Sequence, residues 1–104
     1  MKRKKVSELE GEELDYFVAL GENRKPTKQW VDDKTVSVEG CDIYSPSRYW
    51  AQGEPLIERE RIAVVYAGRW SATKGRIRTA GDTALIAAMR CFVASKFGEE
   101  VELP

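Results

Sequence analysis

The sequence predicts an α+β fold: a three- to five-stranded, mainly antiparallel sheet, with a C-terminal helix across one face and an N-terminal helix packed beside it. Three observations predict it. Residues 82–98 carry large apolar side chains at three- and four-residue steps between good caps, the pattern of a helix with one buried stripe. Residues 7–20 repeat that pattern more weakly. Between them lie short β-branched and aromatic runs broken by Gly, Pro and Asp, the pattern of hairpins. A two-layer sandwich covers both helix stripes most simply. The 104 residues fit one domain, 1–104, whose ends at 1–5 and 99–104 are short strands or loose tails.

The C-terminal helix dictates the rest. Leu85, Ile86, Met89, Phe92, Val93 and Phe97 form its stripe, and Ala87, Ala88, Cys91, Ala94 and Ser95 are small enough to admit a neighbouring backbone. Burying the six large side chains is worth about 10–15 kcal/mol. Ordering each residue costs about 1–2 kcal/mol in backbone entropy. The two nearly cancel, so this helix is stable only against a partner surface, which strands of the same chain should supply. Asp82 or Thr83 suits the N-cap, Gly98 the C-cap, and Lys96 faces the negative end of the helix dipole.

The remaining elements follow in order. Lys2–Val6 suits an edge strand or a tail. Ser7-Glu8-Leu9-Glu10 fits a capping box, opening a helix to about Leu20 that Gly21 stops; Gly11 weakens its first turn and offers a later start. Leu9, Leu14, Phe17 and Val18 face the core, with Tyr16 at the margin. Residues 22–28 form a polar loop with Pro26. Trp30-Val31 and Thr35–Val38 read as a hairpin around Asp32-Asp33-Lys34. Residues 41–53 are the least regular stretch, with Tyr44, Tyr49 and Trp50 close together. Pro55 suits the first position of a short helix, Leu56 to about Arg61. Ile62–Ala67 is a contiguous apolar run, expected as the central strand. Arg69–Ala72 and Arg76–Arg78 flank a turn at Thr73-Lys74-Gly75, and Thr79-Ala80-Gly81 leads into the last helix.

Composition excludes more than it suggests. Lys plus Arg equals Asp plus Glu, at 17 each, so no global charge points to nucleic acid, a membrane surface or an acidic partner. The run Lys2–Lys5 and the acids Glu99, Glu100 and Glu102 read as solvated ends. No apolar run follows the basic start as a secretion signal requires, and none is long enough to span a membrane. Cys41 and Cys91 are expected as free thiols in a reduced cytosolic setting. The chain has no histidine. That removes the usual general base, the Ser-His and Cys-His nucleophile pairs and the commonest metal ligand. No catalytic residue, cofactor or metal site is predicted.

One resemblance spans nearly the whole chain. It is carried by Ser45-Pro46-Ser47, Trp50, Gln52-Gly53, Pro55, Ile57-Glu58-Arg59 and Ile62, then by Gly81-Asp82-Thr83, Leu85–Cys91, Val93–Lys96 and Gly98–Val101. Leu9, Gly11, Leu14-Asp15 and Val18-Ala19 add to it near the start. Together these resemble the phage NinX-like family, named for the nin region of lambdoid phages. Residues 22–40 match loosely, Glu54 stands where a second glycine is usual, and Ala84 stands where a proline is frequent, which favours Thr83 as the cap. The resemblance implies a phage or prophage protein in a bacterial host. It implies no activity, so it brings no catalytic residues.

Four groups are candidate sites. Tyr44, Tyr49, Trp50 and Gln52 could form a ligand pocket against Arg59 or Arg90; alternatively Trp50 plugs the core and Gln52 satisfies loop backbone. Arg69, Trp70, Lys74, Arg76 and Arg78, with no acid among residues 69–78, could track a nucleic-acid backbone; alternatively they decorate a solvated hairpin with Trp70 turned inward. Glu58-Arg59-Glu60-Arg61 could hold a carboxylate pair, though nothing in the sequence separates their pKa values. Asp82 and Arg90 could hold a ligand or partner, or serve as cap and loop pin. The expectation is therefore a non-catalytic binding or protein-interaction module acting on a host or phage protein. A nucleic-acid-binding protein using hairpin 69–78 is the alternative, and a carboxylate enzyme the third. A homodimer would follow from an exposed strand edge or aromatic loop.

Overall fold

The computed structural model describes residues 2–26 and 36–103, apart from the side chain of Asp42. Its elements run β1 (Arg3–Lys5), a 3-10 turn (Val6–Glu8), α1 (Gly11–Gly21), β2 (Val36–Val38), β3 (Cys41–Tyr44), α2 (Trp50–Glu60), β4 (Ala63–Tyr66), β5 (Trp70–Lys74), β6 (Ile77–Gly81), α3 (Ala84–Phe97) and β7 (Glu100–Glu102). The described strands form three antiparallel groups: the meander β4-β5-β6, the hairpin β2–β3, and β1 paired with β7. This is the expected α+β class, with a three-stranded sheet packed against the C-terminal helix.

The α3 helix holds the centre. Its N-cap is Thr83, whose Oγ1 accepts from Ile86 N–H at 3.1 Å, and its C-cap is Gly98 at φ 91°. Met89 and Phe92 are fully buried, as are Ala87, Ala88, Cys91 and Val93. With Leu85 these residues cover an arc wider than the expected stripe, while Ile86, Arg90 and Ala94 are half-buried and Phe97, expected in the stripe, is exposed. The sheet β4-β5-β6 packs against it, and α1 and α2 also pack on it. The α1 helix meets α3 and β2, so α3 is held between the sheet and α1. Small residues permit this. A Cβ on Gly81 would lie 2.6 Å from Ala87 N, so β6 meets the first turn of α3 backbone to backbone. Thr79 Oγ1 donates to Ala87 O at 2.7 Å across the same contact.

Several expectations are corrected. The capping box does not form: α1 starts at Gly11 with Glu10 as N-cap and no side-chain cap bond. Val6 and Leu9 are both buried, and Leu9 N–H bonds Val6 O, so the chain spends Ser7 on a 3-10 turn between them. Gly11 at φ 57° then admits the change from extended to helical backbone. Val36–Val38 pairs with Cys41–Tyr44. The partner first expected for it, Trp30-Val31, lies outside the described residues. Residues 41–53 are mostly regular: they hold β3 and the start of α2.

The α2 helix begins at Trp50 rather than at Pro55. Ser45 O accepts from Arg48 N–H and Tyr49 N–H, both at 2.9 Å, and turns the chain one turn early. Pro55 then sits in the second turn, where it cannot donate to the Ala51 carbonyl. Gly53 makes that entry possible, since a Cβ there would lie 2.4 Å from Pro46 O. Ile62–Ala67 supplies β4, an edge strand; β5 is central. Its apolar run marks exposure rather than depth, because Val65 and Tyr66 face outward. The hairpin turn is Gly75-Arg76, with Lys74 paired to Ile77, and Thr79–Gly81 belongs to β6. The ends are strands: Arg3 pairs with Glu102 and Lys5 with Glu100.

Gly81→Ala should destabilise the fold by about 3 kcal/mol, because the added methyl meets helix backbone that cannot step aside. Urea unfolding followed by circular dichroism measures it. A loss under half that size would mean that the β6–α3 contact is looser than described.

Candidate functional site

A cleft with three cations on its walls lies beside β6. Lys5, Val6 and Ser7, the strand residues Arg76–Thr79, Ala94, Glu99 and Glu100 enclose about 460 Å³ between β6 and the N-terminal segment. Val6, Ile77 and Ala94 belong to the core or pack on it, so the floor is apolar. Lys5, Arg76 and Arg78 are exposed and make no ion pair among the described residues. The cations beside them are engaged: Arg3 with Glu100 and Glu102, and Lys4 with Glu13 at 2.6 Å. On the acidic wall Glu100 is thus paired, while Glu99 is exposed.

The basic hairpin expected for nucleic acid is divided. Arg76 and Arg78 border this cleft. Lys74 is tied down: its Nζ donates to Glu60 O at 2.6 Å and lies 3.6 Å from Glu60 Oε1. Trp70 is half-buried, its ring 5.0 Å from that of Tyr66. Arg69 and Trp70 line a separate shallow cleft of about 360 Å³ with Tyr66, Gly68, Gly81 and Asp82. Lys5 was not singled out as a site residue, and Glu60 was considered only as half of a carboxylate pair, not as the partner of Lys74. Lys5 lay inside a basic run that reads as a solvated end, and only the fold sets it opposite Arg78.

The aromatic loop is also divided. Gln52 is built into the backbone: its Oε1 accepts from Ser45 N–H at 2.6 Å, and its Nε2 donates to Ile43 O at 2.8 Å. Trp50 is 56% exposed and Tyr49 48%, so Trp50 is not the core plug; Tyr44, Ser45 and Pro46 fill that place. Helix α2 starts at Trp50 and turns its indole outward. Gln52 and Arg59 line a cavity of about 230 Å³ with Glu22, Arg24, Cys41 and Tyr44. Tyr44 Oη donates to Glu22 Oε2, and Arg59 Nη1 reaches Glu22 Oε1 at 3.2 Å. Burial, then the Glu22 carboxylate, pushes the Tyr44 phenol far up. This cluster fastens β3 and α2 to the end of α1 and leaves no free charge inside.

Asp82 and Arg90 do not form a pair. Arg90 Nε donates to Leu9 O at 2.8 Å and Nη1 to Ala80 O at 2.9 Å, pinning the entry to α1 against β6. Burial lowers its pKa. Asp82 is exposed, and Thr83 is the cap. The carboxylates offer no dyad. Burial would raise Glu60, but Arg59, Lys96 and Lys74 outweigh it and hold it low. Glu54 shifts up through a hydrogen bond with Glu58 on open surface. Among the described residues no three His, Cys, Asp or Glu side chains gather as a metal site needs, and no helix is long and apolar enough to cross a membrane.

One buried carboxylate escaped the sequence reading. Asp15 is 1% exposed and accepts from Ser47 N–H at 2.9 Å, joining α1 to the 45–48 turn. Burial pushes it up to about 6, against 3.8 ordinarily, with the Ser47 bonds and Arg48 only partly offsetting. Nothing in the sequence distinguishes Asp15 from its acidic neighbours except its place beside Leu14, on the apolar side of α1.

Two outcomes follow. Between pH 4 and 6 the folded state holds a proton on Asp15 that the unfolded chain has released, so stability should fall as pH rises through that window and level off above it. The full effect is about 3 kcal/mol for a shift of roughly two units. Asp15→Asn keeps an acceptor for Ser47 N–H, so it should flatten that slope without loss at pH 7; thermal melts across the window measure it. Gln52→Ala should cost about 1–3 kcal/mol, chiefly the buried Ser45 N–H left without a partner. An unchanged urea midpoint would contradict the backbone role.

The family model described as Bacteriophage P22, NinX matches residues 5–96. No curated protein matches the chain.

Proposed function

The chain belongs to the bacteriophage P22 NinX family, and from that premise we propose that it is a phage or prophage accessory protein that works in the bacterial cytoplasm as a non-catalytic binding module for a protein partner. The cleft between β6 and the N-terminal segment carries this reading. It combines an apolar floor with three cations, Lys5, Arg76 and Arg78, that have no acidic partner among the described residues. The carboxylates around α2 are by contrast matched locally: Glu60 faces Arg59, Lys74 and Lys96, and Glu22 faces Arg24 and Arg59. Exposed pairs of this kind contribute about 0–1 kcal/mol each, so leaving three cations unmatched costs the fold little and keeps them for a ligand.

The absence of histidine supports a non-catalytic role. So does the state of the carboxylates. Glu22 and Glu60 are matched by cations, Glu54 and Glu58 share open surface, and Asp15 is sealed under the 45–48 turn. The two whose pKa values are raised, Glu54 and Asp15, lie on open surface and under that turn rather than in a cleft, and acid–base work needs both features together.

Nucleic acid is the second reading, favoured by Arg76 and Arg78 side by side with Lys5. Glu99 and Glu100 on the cleft wall oppose it, as does the diversion of Lys74 to Glu60. Affinity capture from phage-infected cells decides. The wild-type protein should retain a specific protein after nuclease treatment, and a variant carrying Lys5→Glu, Arg76→Glu and Arg78→Glu should lose it while melting within a few degrees of wild type. Recovery that vanishes with nuclease, or that the folded variant keeps, would overturn the proposal.

A further inference from the structure

Resting on that reading, we infer that the cleft is filled by strand addition: an extended acidic segment of the protein partner pairs with the edge of β6 at Arg78, the stretch that the Arg90–Ala80 bond leaves open. The register argues it. Lys74 and Ile77 close the two-residue turn Gly75-Arg76, with Gly75 at φ 60°. In such a hairpin the flanking pair exchanges backbone bonds, and every second pair after it does the same. Ile77, Thr79 and Gly81 therefore bond inward to β5, while Arg78 and Ala80 aim their N–H and C=O groups at the open edge. Ala80 O is taken by Arg90 Nη1 at 2.9 Å, as that alternation requires. The Arg78 N–H and C=O have no partner among the described residues, and they border the cleft.

Side chains give the occupant its chemistry. Ile77 and Thr79 turn toward α3, so Arg78 projects from the opposite face. A residue paired with Arg78 places its side chain beside that guanidinium, and a carboxylate there gains a charge-assisted contact. Its neighbours along the strand turn inward over Val6, Ile77 and Ala94 and should be small and apolar. The expected segment alternates acidic and apolar residues, with no acid at the end that meets Glu99. A phosphodiester chain meets the same cations but has no amide to match the strand edge, and it meets Glu99 as a like charge. The other free edge, β4, has exposed Val65 and Tyr66 but no unmatched cation within the strand.

The test uses the full chain. Short random peptides are displayed and selected on it, the strongest binder is resynthesised, and a second version is N-methylated at alternate residues, which removes backbone donors but no charge. Selected peptides should alternate acidic and apolar residues, and each backbone bond lost to N-methylation should weaken binding about tenfold. The Arg78 amide should also exchange with solvent more slowly in the complex. Arg78→Gln should weaken binding without restoring exchange, whereas Arg78→Pro, which removes the N–H from an open edge, should abolish it. Equal binding of the N-methylated peptide would reject strand addition. If the cleft-dependent capture described above still holds, the binding role survives that result; selection of no peptide together with loss of that capture would end both.

Discussion

Burial of α3 over most of its surface is the constraint on which the other elements depend. A helix with only one apolar stripe needs one partner surface. This one has Ala87, Ala88 and Cys91 buried beside the stripe, so it needs the sheet, α1 and α2 together. Close approach is what makes that feasible. Gly81 lets β6 touch the first turn, and Thr79 bonds a helix carbonyl across the contact. Arg90 then turns the helix's least apolar face to use by holding Leu9 O and Ala80 O, two carbonyls 71 positions apart in the chain. Each of those bonds has a charged donor and is worth roughly 1.5–3 kcal/mol.

The legible parts of the fold were those decided locally. Thr83, Gly98 and the Leu85–Phe97 spacing define α3 without help from the rest of the chain, because caps and periodicity act within one or two turns. The hairpin β5–β6 was legible in type but shifted in register: the turn expected at Thr73-Lys74-Gly75 is Gly75-Arg76, and Thr73 and Lys74 belong to β5, paired with Arg78 and Ile77. What was illegible depends on distant contacts. Helix α2 begins at Trp50 because Gly53 can lie on Pro46 and Gln52 can hold residues 43 and 45. Strand β4 reads as central because its residues are apolar, but apolar content cannot say how many neighbours a strand has. The basic hairpin was visible as a charge run. Its division into tied Lys74 and unmatched Arg76 and Arg78 was not, because Glu60 and Lys5 reach it only through the fold.

Net neutrality conceals a sorted surface. Glu22 and Glu60 gather four of the chain's cations around α2, Arg24, Arg59, Lys74 and Lys96, with Arg59 serving both. The cleft where β6 meets the N-terminal segment keeps unmatched cations at a strand edge. Screening at physiological salt reduces any field beyond about 8 Å, so this asymmetry acts on a ligand at contact rather than steering it from afar.

The pairing of β1 with β7 has a consequence for how the molecule is made. Arg3 waits for Glu102, and Val6 for Glu99, so β1 has no partner until residues 99–102 have been made. The central helix is equally late. During translation Leu9, Leu14 and Val18 have nothing to cover, and the nascent chain carries its apolar residues exposed until α3 arrives. Folding is therefore governed by long-range closure, which is slow compared with the formation of local hairpins and helix turns.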